Sequence, residues 1–309
     1  MPVGVVLALL SYSVYSLSDS VVKSFGSETL SAFEISFFLS LFSLVALPFA
    51  RSGDDKWRDV FRLRHPWLMA ARAILQAAAA VFFTMALTRI PFAETYSIVF
   101  LTPLFLTLLS VVVLREHVAI VRWLLVAASF VGVLIVVRPG FHAFGIGQGA
   151  AIACALSAAS ANVILRIISN GERHISIITI TILCQLAMTG VLMAGSFVMP
   201  SLSDLLRFAI AGCFSGAGQL LLIRAMQKAP ASHIGPTIYV QILWAVALGA
   251  LFYGESQDAI GYAGLVLIVV AGIATVFSDG AQARISGRWA EFRARRGEAT
   301  TSEPGGPNI

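Results

Sequence analysis

Long apolar stretches, interrupted at short intervals by charged or turn-forming residues, run from the start of the chain to about residue 278. A helix needs about 20 mostly apolar residues to cross a bilayer. Ten stretches meet that length: 3–22, 31–50, 67–88, 93–114, 119–137, 147–168, 176–198, 205–227, 232–253 and 259–277. Their ends are set to within about three residues. They are apolar all round rather than alternating, and about twice as long as a barrel strand, which excludes a transmembrane β-barrel. The connections are short, apart from the charged segment 51–66. The pattern predicts an all-α integral membrane protein of ten transmembrane helices.

Composition agrees and narrows the function. The 309 residues are 58% apolar and only 12% charged, against about 25% charged residues in a soluble domain. A soluble enzyme, a disordered chain and a nucleic-acid-binding domain are all disfavoured. The net charge of +5 then reads as orientation. With the N-terminus cytoplasmic, 16 of the 21 Lys and Arg fall in inside loops and the C-terminal tail. Lys23, Arg89, Arg138 and Arg207 fall outside, and Arg72 lies within the third span. This is a strong positive-inside bias, and it predicts that both termini are cytoplasmic. No Lys or Arg precedes Lys23 and no small-residue cleavage site follows the first apolar run, so that run is expected to be a retained helix. Cys154, Cys184 and Cys213 are odd in number and sit inside spans, as small core residues do.

The chain also repeats itself. Ala86 and Ala225, Arg89 and Lys228, Pro91 and Pro230, and Glu116 and Glu255 are each separated by 139 positions. Gly132 and Gly272 follow at 140. The units are 1–139 and 146–278, with 279–309 left as a cytoplasmic basic tail. A five-span unit ends on the opposite side from where it began, so its copy must enter the membrane upside down. Two inverted five-helix repeats, with a site between them at mid-depth, are a recurring transporter design.

At the residue level, Arg89-x-Pro91-x-Ala93-Glu94, Pro103-Leu104, Leu114-Arg115-Glu116 and Gly132-Val-Leu-Ile-Val-Val-Arg-Pro-Gly140 resemble the EamA-type repeat of the drug/metabolite transporter superfamily. The resemblance covers nearly the whole chain up to about residue 278. It implies a ten-helix carrier with a central cavity between the repeats. The second copy departs from the first in carrying Gln241-Ile242 where the first has Thr102-Pro103. The stretch from Ala93 to Gly140 looks most similar to the bacterial branch that takes up S-adenosylmethionine-like or riboflavin-like solutes.

A carrier site should appear as polar groups at mid-depth, where such groups are costly unless used. Thr102 and Gln241 are equivalent under the 139 shift and fall near the centres of the fourth and ninth spans. Tyr239 and Trp244 flank Gln241 and could stack a planar ring while the amide orients its polar edge. Arg72, one turn from Gln76, could guard the inner vestibule, or its long stem could snorkel to the headgroups. Asn162 and Gln219 are further candidates for the cavity wall. Asp19, Glu94, Glu116 and Glu255 are the candidate gating or coupling carboxylates. Asp19 and Lys23 are four apart and could pair on one helix face. Gly212-x-x-x-Gly216 and the alanines 77–80 should permit close helix packing.

Walker A, His-Glu-x-x-His, Gly-x-Ser-x-Gly and Cys-x-x-Cys sequences do not occur. No catalytic residues, metal or cofactor are therefore expected. Ile285, Trp289 and Phe292 share a helical face among arginines and suggest an interfacial helix on the inner leaflet. The expected partners are a small-molecule substrate and the lipid bilayer, with no nucleic acid; a homodimer is left open. The expected function is a secondary transporter of a small organic metabolite in a bacterial inner membrane. An exporter of amino acids or drugs and a non-catalytic scaffold subunit are the alternatives.

Overall fold

A computed structural model describes residues 2–26, 30–50, 61, 63–115, 118–138, 145–168, 172, 174–229 and 231–275. The described residues are helical, with no strand among them. In chain order the helices are α1 Pro2–Lys23, α2 Ala32–Ser43, α3 Pro66–Leu87, α4 Phe92–Val99, α5 Thr102–Val113, α6 Ile120–Val137, α7 Ile146–Ile168, α8 His174–Met193, α9 Leu202–Lys228, α10 Ala231–Ile234, α11 Val240–Tyr253 and α12 Ala259–Thr275. The 3-10 segments Leu44–Ala50 and Gly235–Tyr239 extend α2 and precede α11. Eight helical segments among the described residues are long and apolar enough to cross a membrane, and the second and tenth predicted stretches are shorter apolar helices. The tail lies outside the described residues, as does the interfacial helix expected there.

Two expected helices are discontinuous. The fourth predicted stretch breaks at Phe100–Leu101, between α4 and α5. Pro103 sits in the first turn of α5, where its missing N–H costs nothing but cannot continue the ladder from α4. The ninth breaks into α10, a 3-10 turn through Gly235-Pro236, and α11. The break points coincide under the 139 shift: Phe100 corresponds to Tyr239, and the two rings stack with centroids 4.9 Å apart. Tyr239 is buried, and a Cβ at Gly272 would collide with its hydroxyl. Gly272 therefore admits the ring.

Helix pairing follows the same correspondence. The most extensive contacts join α1 to α9 and α3 to α7. The 139 shift carries α1 onto α7 and α9 onto α3, so the two pairings correspond under it. The α1–α9 seam is tied by Ser11 Oγ donating to Gly218 O (2.7 Å) and Ser18 Oγ donating to Ala211 O (2.8 Å). Such interhelical bonds contribute about 0.6–2 kcal/mol each in a membrane. Gly212 and Gly216 press onto α2, and a Cβ at Gly216 would lie 2.8 Å from that of Ala46. Ala77 and Ala79 are buried on α3. The small residues do permit close helix approach, as expected.

Candidate functional site

The packing of the described residues leaves a cavity of about 570 Å³, within the 300–1,000 Å³ usual for small-molecule sites. Its wall draws on α1, α2, α3 and α4 from the first half of the chain and α8, α9 and α11 from the second. Five of the residues expected at the site meet there: Asp19, Arg72, Gln76, Gln219 and Gln241.

Asp19 lies at one end. Its carboxylate accepts from the Tyr96 hydroxyl, which in turn accepts from Gln241 Nε2 at 3.3 Å. Tyr96 is fixed by rings on two sides, Phe92 with centroids 5.6 Å apart and Phe83 edge-on at 5.8 Å. Gln219 Oε1 accepts from the Tyr15 hydroxyl at 2.5 Å. The i,i+4 pair between Asp19 and Lys23 is not made, and that expectation is corrected. Lys23 Nζ instead lies 2.9 Å from Glu255 Oε1 and donates to Ile90 O at 2.7 Å and Leu87 O at 3.3 Å. Glu255 also accepts from Phe92 N at 2.7 Å. The Lys23 ammonium sits over the Phe92 and Tyr253 rings, and Tyr253 donates to Ser20 O. This cluster lies one turn beyond Asp19 along α1.

Arg72 lies at the other end, two turns into α3. It is only 8% exposed. Its Nη1 donates to Thr181 Oγ1 at 2.7 Å, while Nε is buried without a partner. The start of α3 is held by Glu172, whose Oε1 accepts from the backbone N–H of Arg64 and His65 at 2.8 Å each. A carboxylate from another segment thus satisfies N–H groups that the helix end leaves open.

The other expected residues that the structure describes do not line the cavity. Thr102 turns its hydroxyl onto Val99 O at 2.6 Å. Tyr239 is stacked in the break. Trp244 lies behind α1 and donates from Nε1 to Ser13 Oγ at 2.8 Å. Asn162 is exposed on α7. Glu94 accepts from Gln148 Nε2 at 3.0 Å, Glu255 belongs to the closing cluster, and Glu116 lies outside the described residues. The sequence reading missed Tyr12, Tyr15 and Tyr96, the α2 serines 36, 40 and 43, and Gln185. Spacing could have revealed two of these sets. Tyr12, Tyr15 and Asp19 share one face of α1, and Ser36, Ser40 and Ser43 one face of α2.

With this geometry in view, comparisons decide the family. The EamA-like transporter family model matches residues 2–138 and again 145–278. The chain belongs to the EamA-like transporter family. It is accordingly a multi-pass inner-membrane transporter of small molecules and not an enzyme. It is 31% identical to the pseudopaline exporter of Pseudomonas aeruginosa over 276 residues, covering 88% of this chain and 95% of that one. It is 26% identical to the riboflavin transporter of Rhizobium johnstonii (69% and 70% covered). Identity to the S-adenosylmethionine uptake transporter of Rickettsia bellii is 24% (90% and 94% covered). One crystal structure is alike with a TM-score of 0.60 at 17% identity, over 88% of this chain and 96% of the other, a likeness of fold alone.

Proposed function

We propose that this EamA-like transporter carries a small organic metabolite by alternating access, with ten membrane helices arranged as two inverted repeats, 1–139 and 146–278. The carrying observation is the polar cavity, to which both halves contribute. The paired seams α1–α9 and α3–α7 and the coincident breaks at Phe100 and Tyr239 support the repeat. Discontinuous helices meeting near mid-depth are where inverted-repeat transporters bind solute. The shorter second stretch is long enough to cross. Its 12 α-helical and 7 3-10 residues rise about 32 Å, against a hydrocarbon thickness of about 30 Å.

With cytoplasmic termini, the Lys23–Glu255 cluster lies on the outer side and the Arg72 end faces inward. This form of the carrier then has its outer gate closed, with Lys23 and Glu255 as the gate residues. Gln241 and Gln219 hold the solute's polar edge. Uptake of a vitamin such as riboflavin, or of an S-adenosylmethionine-like solute, fits the 24–26% identical relatives. Export is the second reading, favoured by the 31% identity to a pseudopaline exporter.

Counterflow in proteoliposomes tests the carrier reading, with riboflavin and S-adenosylmethionine as labelled probes. A carrier gives saturable flux and exchanges label across the membrane. Gln241→Ala should lower that flux about tenfold, the effect of losing an interaction of about 1.4 kcal/mol. Unsaturable flux, or wild-type flux in the variant at equal reconstitution, removes the reading or the assignment of Gln241 respectively.

A further inference from the structure

We propose that the solute is an elongated dipolar molecule, seated with an anionic group on Arg72 and a cationic group on Asp19. The proposal rests on the carrier reading and names the class of solute it takes.

Two charged side chains in the cavity wall, Arg72 and Asp19, are not paired with each other. Arg72 is 8% exposed, and its Nε finds no partner. Among the described residues no carboxylate forms an ion pair with it. Glu172, the buried carboxylate at the same end of α3, is occupied by two backbone N–H groups. A guanidinium in the cavity wall whose hydrogen-bonding capacity the protein leaves partly unfilled is suited to a planar anion, above all a carboxylate, which it can grip through two parallel bonds.

Asp19 is the complement. Its natural neutraliser, Lys23 one turn away, is taken by Glu255 and two backbone carbonyls. Tyr96 donates a hydrogen bond to Asp19 but supplies no positive charge. The wall between the two charges is amide-rich, with Gln76, Gln185, Gln219 and Gln241. These offer donors and acceptors to an uncharged polar middle.

Length follows from the helix. Phe83, whose ring meets Tyr96, is 11 residues beyond Arg72 on α3. That places the Asp19–Tyr96 pair about 16 Å farther along the axis at 1.5 Å per residue. One free α-amino acid cannot span the two charges. A chain of several bonds with separated carboxylate and ammonium or sulfonium ends can, and it fits a 570 Å³ cavity.

Thermal unfolding of the purified full-length chain in detergent tests this, because a ligand that binds only the folded state raises its midpoint. The probe is tetraglycine, whose charged ends are about 13–14 Å apart when extended. Glycine, N-acetyl-tetraglycine and tetraglycine amide are compared with it. Tetraglycine should raise the wild-type midpoint, and glycine at equal concentration should not. Capping either end should raise the concentration needed at least tenfold.

In Arg72→Gln the free acid and the amide should become equivalent while acetylation still weakens binding. Asp19→Asn should show the reverse. Arg72→Lys should retain discrimination for the free acid. Each variant's ligand-free midpoint reports its own folding. Absence of any tetraglycine shift overturns the proposal, and so does capping that acts in the variants as it does in the wild type. Riboflavin carries neither charged group. If proteoliposomes carry it at wild-type rates in both variants and tetraglycine gives no shift, the carrier stands and the dipolar class falls. If no probe is carried and none shifts the midpoint, both fall.

Discussion

The two ends of the cavity are built on opposite terms. At the Lys23 end the ammonium meets a carboxylate, two carbonyls and two ring faces, and the carboxylate also holds the Phe92 N–H. At the Arg72 end an equally charged group has one side-chain partner and a buried N–H with none. Both charges sit in an apolar molecule where ionised groups are expensive. The pairing is complete at the first end, where the proposed gate lies, and incomplete at the second, where the proposed solute anion would sit.

Breaking the closed end gives the largest expected effect. Glu255→Ala leaves Lys23 nearly buried and unpaired and releases the start of α4. Removing one partner of a buried pair costs about 3–5 kcal/mol, and the exposed fractions of 9% and 19% place this pair toward the lower part of that range. A thermal or denaturant midpoint measures it. Lys23→Met combined with Glu255→Leu should recover most of the loss, because the double change leaves no orphaned charge. A single-variant loss under about 1 kcal/mol would mean that the cluster is wet and behaves as an ordinary surface pair.

The open end should respond in the other direction. Arg72→Met removes a charge whose bonding is incomplete, and Thr181 keeps its bond to Ile177 O at 2.6 Å. Stability should stay level or rise by up to about 2 kcal/mol, within the 2.5–3.5 kcal/mol that a membrane-centre arginine costs on insertion scales. Transport of the native solute should fall in the same variant. A stability gain with loss of function is the signature of a group kept for binding. A clear drop in midpoint would instead make Arg72 a structural anchor and close the contrast between the two ends.

How far these roles were legible follows from sequence distance. The helices were readable because apolar runs state their own length. The two breaks were half readable: Pro103 and Pro236 mark them, but a proline at a helix start and one in a kink look alike in sequence. Asp19, Arg72, Gln76, Gln219 and Gln241 could be picked because polar groups are rare in spans. Thr102 could not be separated from its repeat partner Gln241. A threonine can bond a nearby backbone carbonyl and drop out of the site, and Thr102 does so with Val99 O at the end of α4. The Lys23–Glu255 pair was hidden by 232 positions of chain, and local spacing offered Asp19 as the nearer partner. Tyr96 was overlooked because a tyrosine in an apolar run reads as core until a carboxylate from another helix is found against it.

The smallest expected effect sharpens the comparison from the solvent side. Arg138, at the end of α6, bonds Asp258, just before α12, with side chains 29% and 54% exposed. Arg138 and, behind it, the Gly261 N–H at 2.9 Å hold the Asp258 carboxyl below its ordinary value. The sign follows: this contribution is present above the usual carboxylate range near about pH 3.9 and is lost as pH falls through the lowered value. Asp258→Asn should therefore shift the midpoint at pH 7 by only about 1 °C, and the variant and the wild type should converge once the pH has fallen below the lowered value. Salt separates the two pairs further. At about 1 M salt, where screening acts within about 3 Å, the Asp258 difference should disappear while the Glu255→Ala loss persists. If salt erased both, burial would not be what distinguishes the closing cluster from an exposed pair, and its assignment as a gate would lose its physical basis.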